Sequence, residues 1–107
     1  MCGTGKQLAV INNKEDNDFI RDEVIEGQDA WIGFYRDSRY VSWKWVDGKT
    51  NSYLNWDSSQ PNNHKDYYYS KDQNCVTMFG RTHYGAMGKW NDLGCNEKEF
   101  YVCQKKL

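Results

Sequence analysis

The sequence has little proline, almost no net charge and no long apolar run. It contains one proline in 107 residues, and its formal net charge is −1. Binding to nucleic acid or to an anionic membrane relies on clustered Lys and Arg, so this balance argues against both partners. No apolar run approaches the roughly 20 residues of a membrane span, and no signal peptide opens the chain. The length suits one domain, residues 1–107, and is too short for two.

None of the four cysteines lies in a Cys-x-x-Cys pair, which argues against a thiolate zinc site. The cysteines are Cys2, Cys75, Cys95 and Cys103. Four cysteines allow three disulfide pairings, and the residues alone leave all three open. An even number in a small, loop-rich domain favours an oxidising compartment. The sequence therefore predicts disulfides and a secreted or cell-surface location.

Histidine is also scarce, whereas aromatic residues are abundant. The two histidines, His64 and His83, are accompanied by no nucleophile or oxyanion motif, so we expect no enzymatic activity. Aromatic residues make up 16% of the chain. This composition predicts a small core built from rings, with some rings left for ligand contact. The rings assigned to the core are Trp43, Trp45, Trp56 and Trp90.

Hydrophobic periodicity predicts one helix followed by short strands. The Asn pair at 12–13 supplies a suitable N-cap, and Phe19, Ile20 and Val24 recur at helical spacing, which predicts a helix over residues 13–26. A glycine inside the apolar run at residues 31–34, Gly33, marks a place of close packing. Strands are predicted at residues 31–34, 40–46, 75–79, 89–92 and 100–103. This order is typical of an α+β domain with an antiparallel sheet.

A long polar segment, residues 49–74, interrupts this pattern. Segments of this length without regular structure are uncommon in compact domains unless they are functional. From residue 60 to residue 92 the chain is rich in amides and carboxylates, whose oxygens suit Ca²⁺ and whose donors and acceptors suit sugar hydroxyls. Tyr67, Tyr68 and Tyr69 cannot all face inward. At least one should therefore be available to stack on a sugar or to contact a partner protein.

Eight short motifs, taken in register, resemble the C-type lectin domain. They are Leu8-Ala9-Val10-Ile11, Trp31-Ile32-Gly33-Phe34, Trp43 with Asp47-Gly48, Asn55-Trp56, Gln60-Pro61-Asn62-Asn63, Asn74-Cys75-Val76, Lys89-Trp90-Asn91-Asp92 with Cys95, and Tyr101-Val102-Cys103. The predicted helix with Phe19-Ile20 falls in its expected place between the first two motifs. The resemblance implies a C-type lectin-like fold with antiparallel sheets, at least one helix and a long ligand-binding loop. It also implies two disulfides, Cys2 with Cys103 and Cys75 with Cys95. The proline of the motif at Pro61 is often cis in this family.

The resemblance further implies a calcium-dependent carbohydrate site in the long loop. By position, the residues that would bind both the metal and the sugar are Gln60, Asn62, Gln73, Asn91 and Asp92. The three tyrosines at 67–69 are expected to add sugar contacts. A carbohydrate is thus the expected ligand, with a protein partner as the alternative and no nucleic acid.

The predicted calcium ligands depart from the family in their charge. Calcium-binding members usually have a carboxylate at the position of Gln60 and often one at Gln73, and here both are amides. Asp92 is then the only anionic side chain of the five. Because Ca²⁺ affinity depends on the charge of its ligands, we expect weak binding.

Four other polar residues of the loop bear on the expected calcium binding. Asp66 and Asp72 would supply missing charge if the loop folds back. The auxiliary calcium site of the family would use Asn63 and Asn74, which are amides, so that site is expected to be empty.

The family normally has a strand and a helix before its first cysteine, whereas here Cys2 opens the chain. The domain at 1–107 is therefore expected to lack the usual first strand and helix. An uncovered sheet edge and apolar surface would favour self-association.

These features predict a carbohydrate-binding module with galactose-type sugars slightly favoured. In the family, Glu-Pro-Asn goes with mannose-type sugars and Gln-Pro-Asp with galactose-type sugars, and Gln60-Pro61-Asn62 mixes the two. The alternative is a calcium-independent, protein-binding domain on the same fold, with the tyrosine loop as its contact surface. A binder of ice or mineral surfaces is a third class on this fold that nothing in the sequence singles out.

Overall fold

The protein's structure is a computed structural model that describes residues 2–58, 60–61, 73–80 and 86–106. The elements, in chain order, are β1 (Lys6–Leu8), α1 (Lys14–Phe19), a π-helical turn (Ile20–Val24), β2 (Ala30–Tyr35), β3 (Lys44–Trp45), β4 (Cys75–Met78), β5 (Trp90–Leu93), β6 (Phe100–Tyr101) and β7 (Cys103–Lys105). One helical segment and several short strands confirm the predicted α+β class, but β1 precedes the helix and was not among the predicted strands.

The described strands form two sheets that meet near the chain ends. Strands β1 and β7 form an antiparallel pair. The larger sheet has the order β3-β2-β4-β5, and all neighbours in this order are antiparallel. Strand β6 also pairs with β2, in parallel, at Ala30 and Trp31. A β-bulge interrupts the β2–β4 register between Ile32 and Tyr35. Such bulges bend a strand and re-aim the residues that follow it, and here those residues lead to the candidate site.

The predicted helix is present, but its second half is wound more loosely than expected. Asn13 caps it, since its Oδ1 accepts a hydrogen bond from the Asp16 backbone N–H at 2.8 Å. In the π-helical turn the Ile25 N–H donates to the Ile20 carbonyl, five residues back. The extra residue rotates the apolar face, so that Ile20 and Ile25 are buried. The expected apolar positions Phe19 and Val24 are instead 61% and 41% exposed.

Two of the predicted strands are shorter or more broken than the alternation suggested. Of residues 40–46, only Lys44–Trp45 pair in the sheet, and Val41 is exposed although it was expected to share a face with Trp43 and Trp45. The final strand is split at Val102, whose N–H donates to the Trp31 carbonyl while its own carbonyl accepts from Ala9. Strand propensity alone does not reveal such a switch of partner.

The close packing predicted at Gly33 is confirmed. A Cβ on this residue would lie 2.9 Å from the carbonyl oxygens of Leu8 and Ala9 and 2.7 Å from a Val46 methyl group. The Gly33 N–H donates to the Ala9 carbonyl at 2.8 Å. Only glycine allows the chain before α1 to cross β2 this closely.

A cluster of rings around Trp90 forms one part of the core, and most of the other buried residues are aliphatic, so the predicted ring-built core is only partly confirmed. Trp45 and Trp90 are buried, and Trp43 and Trp56 are partly buried against them. The Trp90 ring lies 5.6 Å from Phe34, and that separation suits a favourable aromatic pair. The predicted assignment of these four tryptophans to the core is therefore confirmed.

The two disulfides implied by the family resemblance are confirmed. Cys2 is bonded to Cys103, with their Cα atoms 5.9 Å apart, and Cys75 to Cys95, with theirs 5.2 Å apart. The first closes a loop of nearly the whole chain next to the β1–β7 pair. The second ties the start of β4 to the turn after β5, beside the candidate site. Each is expected to restrict the unfolded chain and so to stabilise the fold by about 2–4 kcal/mol.

The buried amide of Asn17 gives a test of the core. Its Oδ1 accepts from the Trp90 Nε1–H at 2.8 Å, and its Nδ2 donates to the Gly88 carbonyl at 3.0 Å. Asn17→Ala would leave the buried indole N–H unpaired, so we expect the free energy of unfolding to fall by about 2–3 kcal/mol. Urea denaturation measures this.

The matched control is Asn96→Ala, because Asn96 is exposed in a turn. Its effect should stay within about 0.5 kcal/mol. Equal losses for the two variants would contradict a structural role for the Asn17 amide.

Candidate functional site

Asn91 and Asp92 occupy the middle of β5 and face opposite sides of the sheet. In the β4–β5 ladder Asn91 pairs with Thr77 and Asp92 with Val76. Alternation along the strand puts Asp92 on the buried side shared with Trp90, where it is fully buried, while Asn91 is partly exposed. The strand thus fixes two of the predicted site residues rigidly on the sheet.

Gln60 is brought to β5 by the segment before it. The Trp90 N–H donates to the Asn55 carbonyl, and the Asp57 N–H donates to the Trp90 carbonyl, each at 2.9 Å. The Gln60 N–H then donates to the Asp57 carbonyl at 2.8 Å and closes a turn. The motif residues Asn55 and Trp56 therefore tie the loop to the residue that precedes Asn91.

The peptide bond between Gln60 and Pro61 is cis, as the family resemblance implied. Gln60 is partly buried and Pro61 is exposed. This dipeptide is the last described part of the loop on its way out from the sheet.

Gln73 lies where the loop returns to the sheet, two residues before β4. Arg36, directly after β2, holds this return. Its Nη2 donates to the Gln73 carbonyl at 3.1 Å and its Nε donates to Asn74 Oδ1 at 3.0 Å. Its backbone N–H also donates to the Asn74 carbonyl at 3.0 Å, which extends the β2–β4 ladder past the bulge. Nothing in the sequence motifs pointed to Arg36, because one arginine after a strand is an ordinary surface residue.

Two tryptophan rings in contact with each other support the Arg36 side chain. The centre of its guanidinium group lies 4.4 Å from the Trp43 ring centroid, a distance typical of a cation–π contact. The Trp43 ring in turn packs on Trp56, with centroids 5.1 Å apart. Arg36 is therefore linked through two tryptophans to the segment that carries Gln60.

The neighbouring charges at this corner are already paired. The Asp37 carboxylate accepts from Lys44 Nζ at 2.7 Å. This hydrogen bond raises the pKa of the Lys44 ammonium group above its ordinary value. The acidic residue next to Arg36 is thus engaged on the surface by Lys44.

Four predicted ligand contacts lie outside the described residues. They are Asn62, Tyr67, Tyr68 and Tyr69. The same holds for the loop acids Asp66 and Asp72, for Asn63 and for both histidines. Of the predicted set, the described residues are Gln60, Gln73, Asn91 and Asp92. The structure brings Gln60 and Gln73 to the region of the β4–β5 pair, where Asn91 is partly exposed, whereas Asp92 is fully buried on the opposite side of the sheet.

The described donors fit a tightly bound calcium ion poorly. Three of them are neutral amides, and Asp92 is the only carboxylate, whereas Ca²⁺ affinity rises with ligand charge. The Arg36 guanidinium also already engages the Gln73 carbonyl and the Asn74 amide. Within the described ranges no group of three or more His, Cys, Asp or Glu side chains could hold a metal ion.

The fold and the ordered motifs define a C-type lectin domain, and comparison with known proteins agrees. The family described as Lectin C-type domain matches residues 2–105, so the chain belongs to it. Among the described residues, no helix has the length and apolar character needed to cross a bilayer.

Two relatives and one solved structure illustrate the likeness. C-type lectin TsL of Trimeresurus stejnegeri is 34% identical over 90 residues, covering 84% of this chain and 52% of its own length. C-type lectin BpLec of Bothrops pauloensis is 33% identical over 107 residues, which covers 96% of this chain and 73% of the relative. The human scavenger receptor C-type lectin carbohydrate-recognition domain superposes with a TM-score of 0.77 at 26% identity, covering 94% and 74%. The chain thus spans about half the length of the first relative.

Proposed function

We propose that this domain is an extracellular carbohydrate-binding module. The supporting observation is that Gln60, Gln73 and Asn91 are all held near the β4–β5 pair. Gln60 is held through the turn at Asp57, Gln73 by the Arg36 side chain, and Asn91 by the β4–β5 ladder. A side-chain amide both donates and accepts hydrogen bonds, so it can pair with a sugar hydroxyl whether that hydroxyl acts as acceptor or as donor. The human structure that this chain resembles is described as a carbohydrate-recognition domain.

In this proposal the protein's own polar groups bind the sugar and no bond is broken. Asn62, Asn91 and Gln60 hydrogen-bond the hydroxyls of the sugar. The rings of Tyr67, Tyr68 and Tyr69 offer an apolar surface for the face of the sugar. Calcium adds a weak contribution, because the one carboxylate of the set, Asp92, is fully buried. The two disulfides support an oxidising, extracellular location.

The first test is a calcium titration by calorimetry of the wild type and of two variants. Binding to the wild type should be weak, and Asp92→Asn should abolish it, because this change removes the only anionic ligand. Gln60→Glu should tighten binding about tenfold, because it adds a carboxylate to the site.

The control for this titration is Asp22→Asn, which removes the same charge from an exposed helical position. It should leave calcium binding unchanged. Tight binding that survives Asp92→Asn would mean that calcium binds elsewhere.

The second test concerns the sugar, for which we propose a preference for galactose-type over mannose-type ligands. An axial hydroxyl gives galactose an apolar face, and stacking on a tyrosine is worth on the order of 1 kcal/mol, or about fivefold in affinity. Replacing the three loop tyrosines by Ala should remove this preference. Competition of free galactose and mannose on a galactose column measures it.

The control here is Tyr40→Ala, because Tyr40 is 85% exposed and lies outside the loop. It should elute like the wild type. Elution at a lower concentration of mannose than of galactose would contradict the proposed preference, as would a triple variant that keeps it.

The second candidate function is calcium-independent binding of a protein partner. It is favoured by the charge-poor ligand set and by the guanidinium already held at Gln73 and Asn74. On this hypothesis the tyrosine loop is the contact surface, since exposed tyrosines are common in protein interfaces. A glycan array without any calcium-dependent or calcium-independent signal would favour this function over the first.

A further inference from the structure

Arg36 occupies the corner of the domain where the long loop returns to the sheet. Its side chain donates to the Gln73 carbonyl and to Asn74 Oδ1 there. Its backbone N–H also donates to the Asn74 carbonyl. These contacts from one residue fix the last two loop residues before β4 in both position and direction.

The guanidinium group is suited to this task by its shape and its charge. It is planar, always protonated, and presents several N–H donors in a fixed fork. One edge of that fork meets the two oxygen acceptors, and the ring of Trp43 lies 4.4 Å from its centre. The Arg36 guanidinium group therefore lies just before β4, where it donates to a backbone carbonyl oxygen and a side-chain amide oxygen and packs on the Trp43 ring.

We propose that the Arg36 guanidinium replaces a metal ion as the cation that orders the Gln73–Asn74 corner, so that this part of the site forms without calcium. Its contacts use oxygen atoms of the kind that Ca²⁺ would coordinate. Its positive charge also opposes the approach of a second cation. Arg36 is thus a positioning residue, because it sets the loop end and need not touch the ligand.

The bulge in β2 makes this placement possible. Two β2 residues fall between the pairs Ile32–Val76 and Tyr35–Cys75, so the register with β4 shifts before the strand ends. Arg36 follows directly and continues the ladder through Asn74 instead of leaving the sheet. The proposal concerns the same site as the proposed function but is tested without any sugar.

The experiment is hydrogen exchange, followed by mass spectrometry, on peptides that cover residues 35–37 and 73–76. The wild type, Arg36→Met and Arg36→Lys are compared in EDTA and in millimolar CaCl₂. Loss of the side-chain hydrogen bonds in Arg36→Met should speed exchange in these peptides about tenfold. Arg36→Lys keeps the charge but has no fork, so its exchange should lie between those of the other two.

The matched control is Arg39→Met, which makes the same change at an exposed position three residues along the chain. It should leave exchange in both peptides unchanged. If Arg36→Met unfolds globally, the comparison of Arg36→Lys with the wild type decides the question by itself.

Two results would overturn the proposal. One is wild-type exchange at 73–76 that rises when EDTA removes calcium, because the metal would then order the corner. The other is exchange in Arg36→Lys, or in a folded Arg36→Met, that equals that of the wild type. Failure to bind any sugar would overturn the proposed function and leave this result standing.

Discussion

The contacts of Trp90 are the constraint on which the rest of the domain depends. Its indole N–H is bonded to Asn17 of α1, and its ring meets Phe34, Trp45, Tyr53 and Trp56 at 5.6–5.9 Å. Its backbone holds the segment that leads to the loop. Each aromatic pair contributes on the order of 0.5–1.5 kcal/mol. One side chain thus joins helix, core and loop, and the residue after it, Asn91, belongs to the candidate site.

The parts of the fold that follow from local patterns were predictable from the sequence. The cap at Asn13, the strand Ala30–Tyr35 and the close approach at Gly33 each depend on residue type and spacing, and the structure contains all three. The disulfide pairing did not follow from spacing. It came from the family resemblance, because four cysteines permit three pairings on physical grounds alone.

The features that sequence reasoning missed depend on contacts between distant segments. The π-helical turn exposes Val24 because its extra residue changes the face that meets the core, and helical periodicity assumes no such residue. Residues 40–46 alternate like a strand, yet only Lys44–Trp45 form a strand paired with β2. Arg36 acts on residues 37 and 38 positions away. Since those partners lie beyond the long loop, no local pattern could have indicated its role.

A polar corner of this kind can be ordered in two physically different ways. A metal ion attracts several oxygen atoms at once, but it needs anionic ligands to be held firmly, and here most of the matched side chains are neutral amides. A guanidinium group is covalently part of the chain, so it does not have to be bound from solution. It also forms hydrogen bonds with neutral acceptors such as the Gln73 carbonyl and the Asn74 amide. Amides at Gln60 and Gln73 and an arginine at position 36 are therefore consistent with one another.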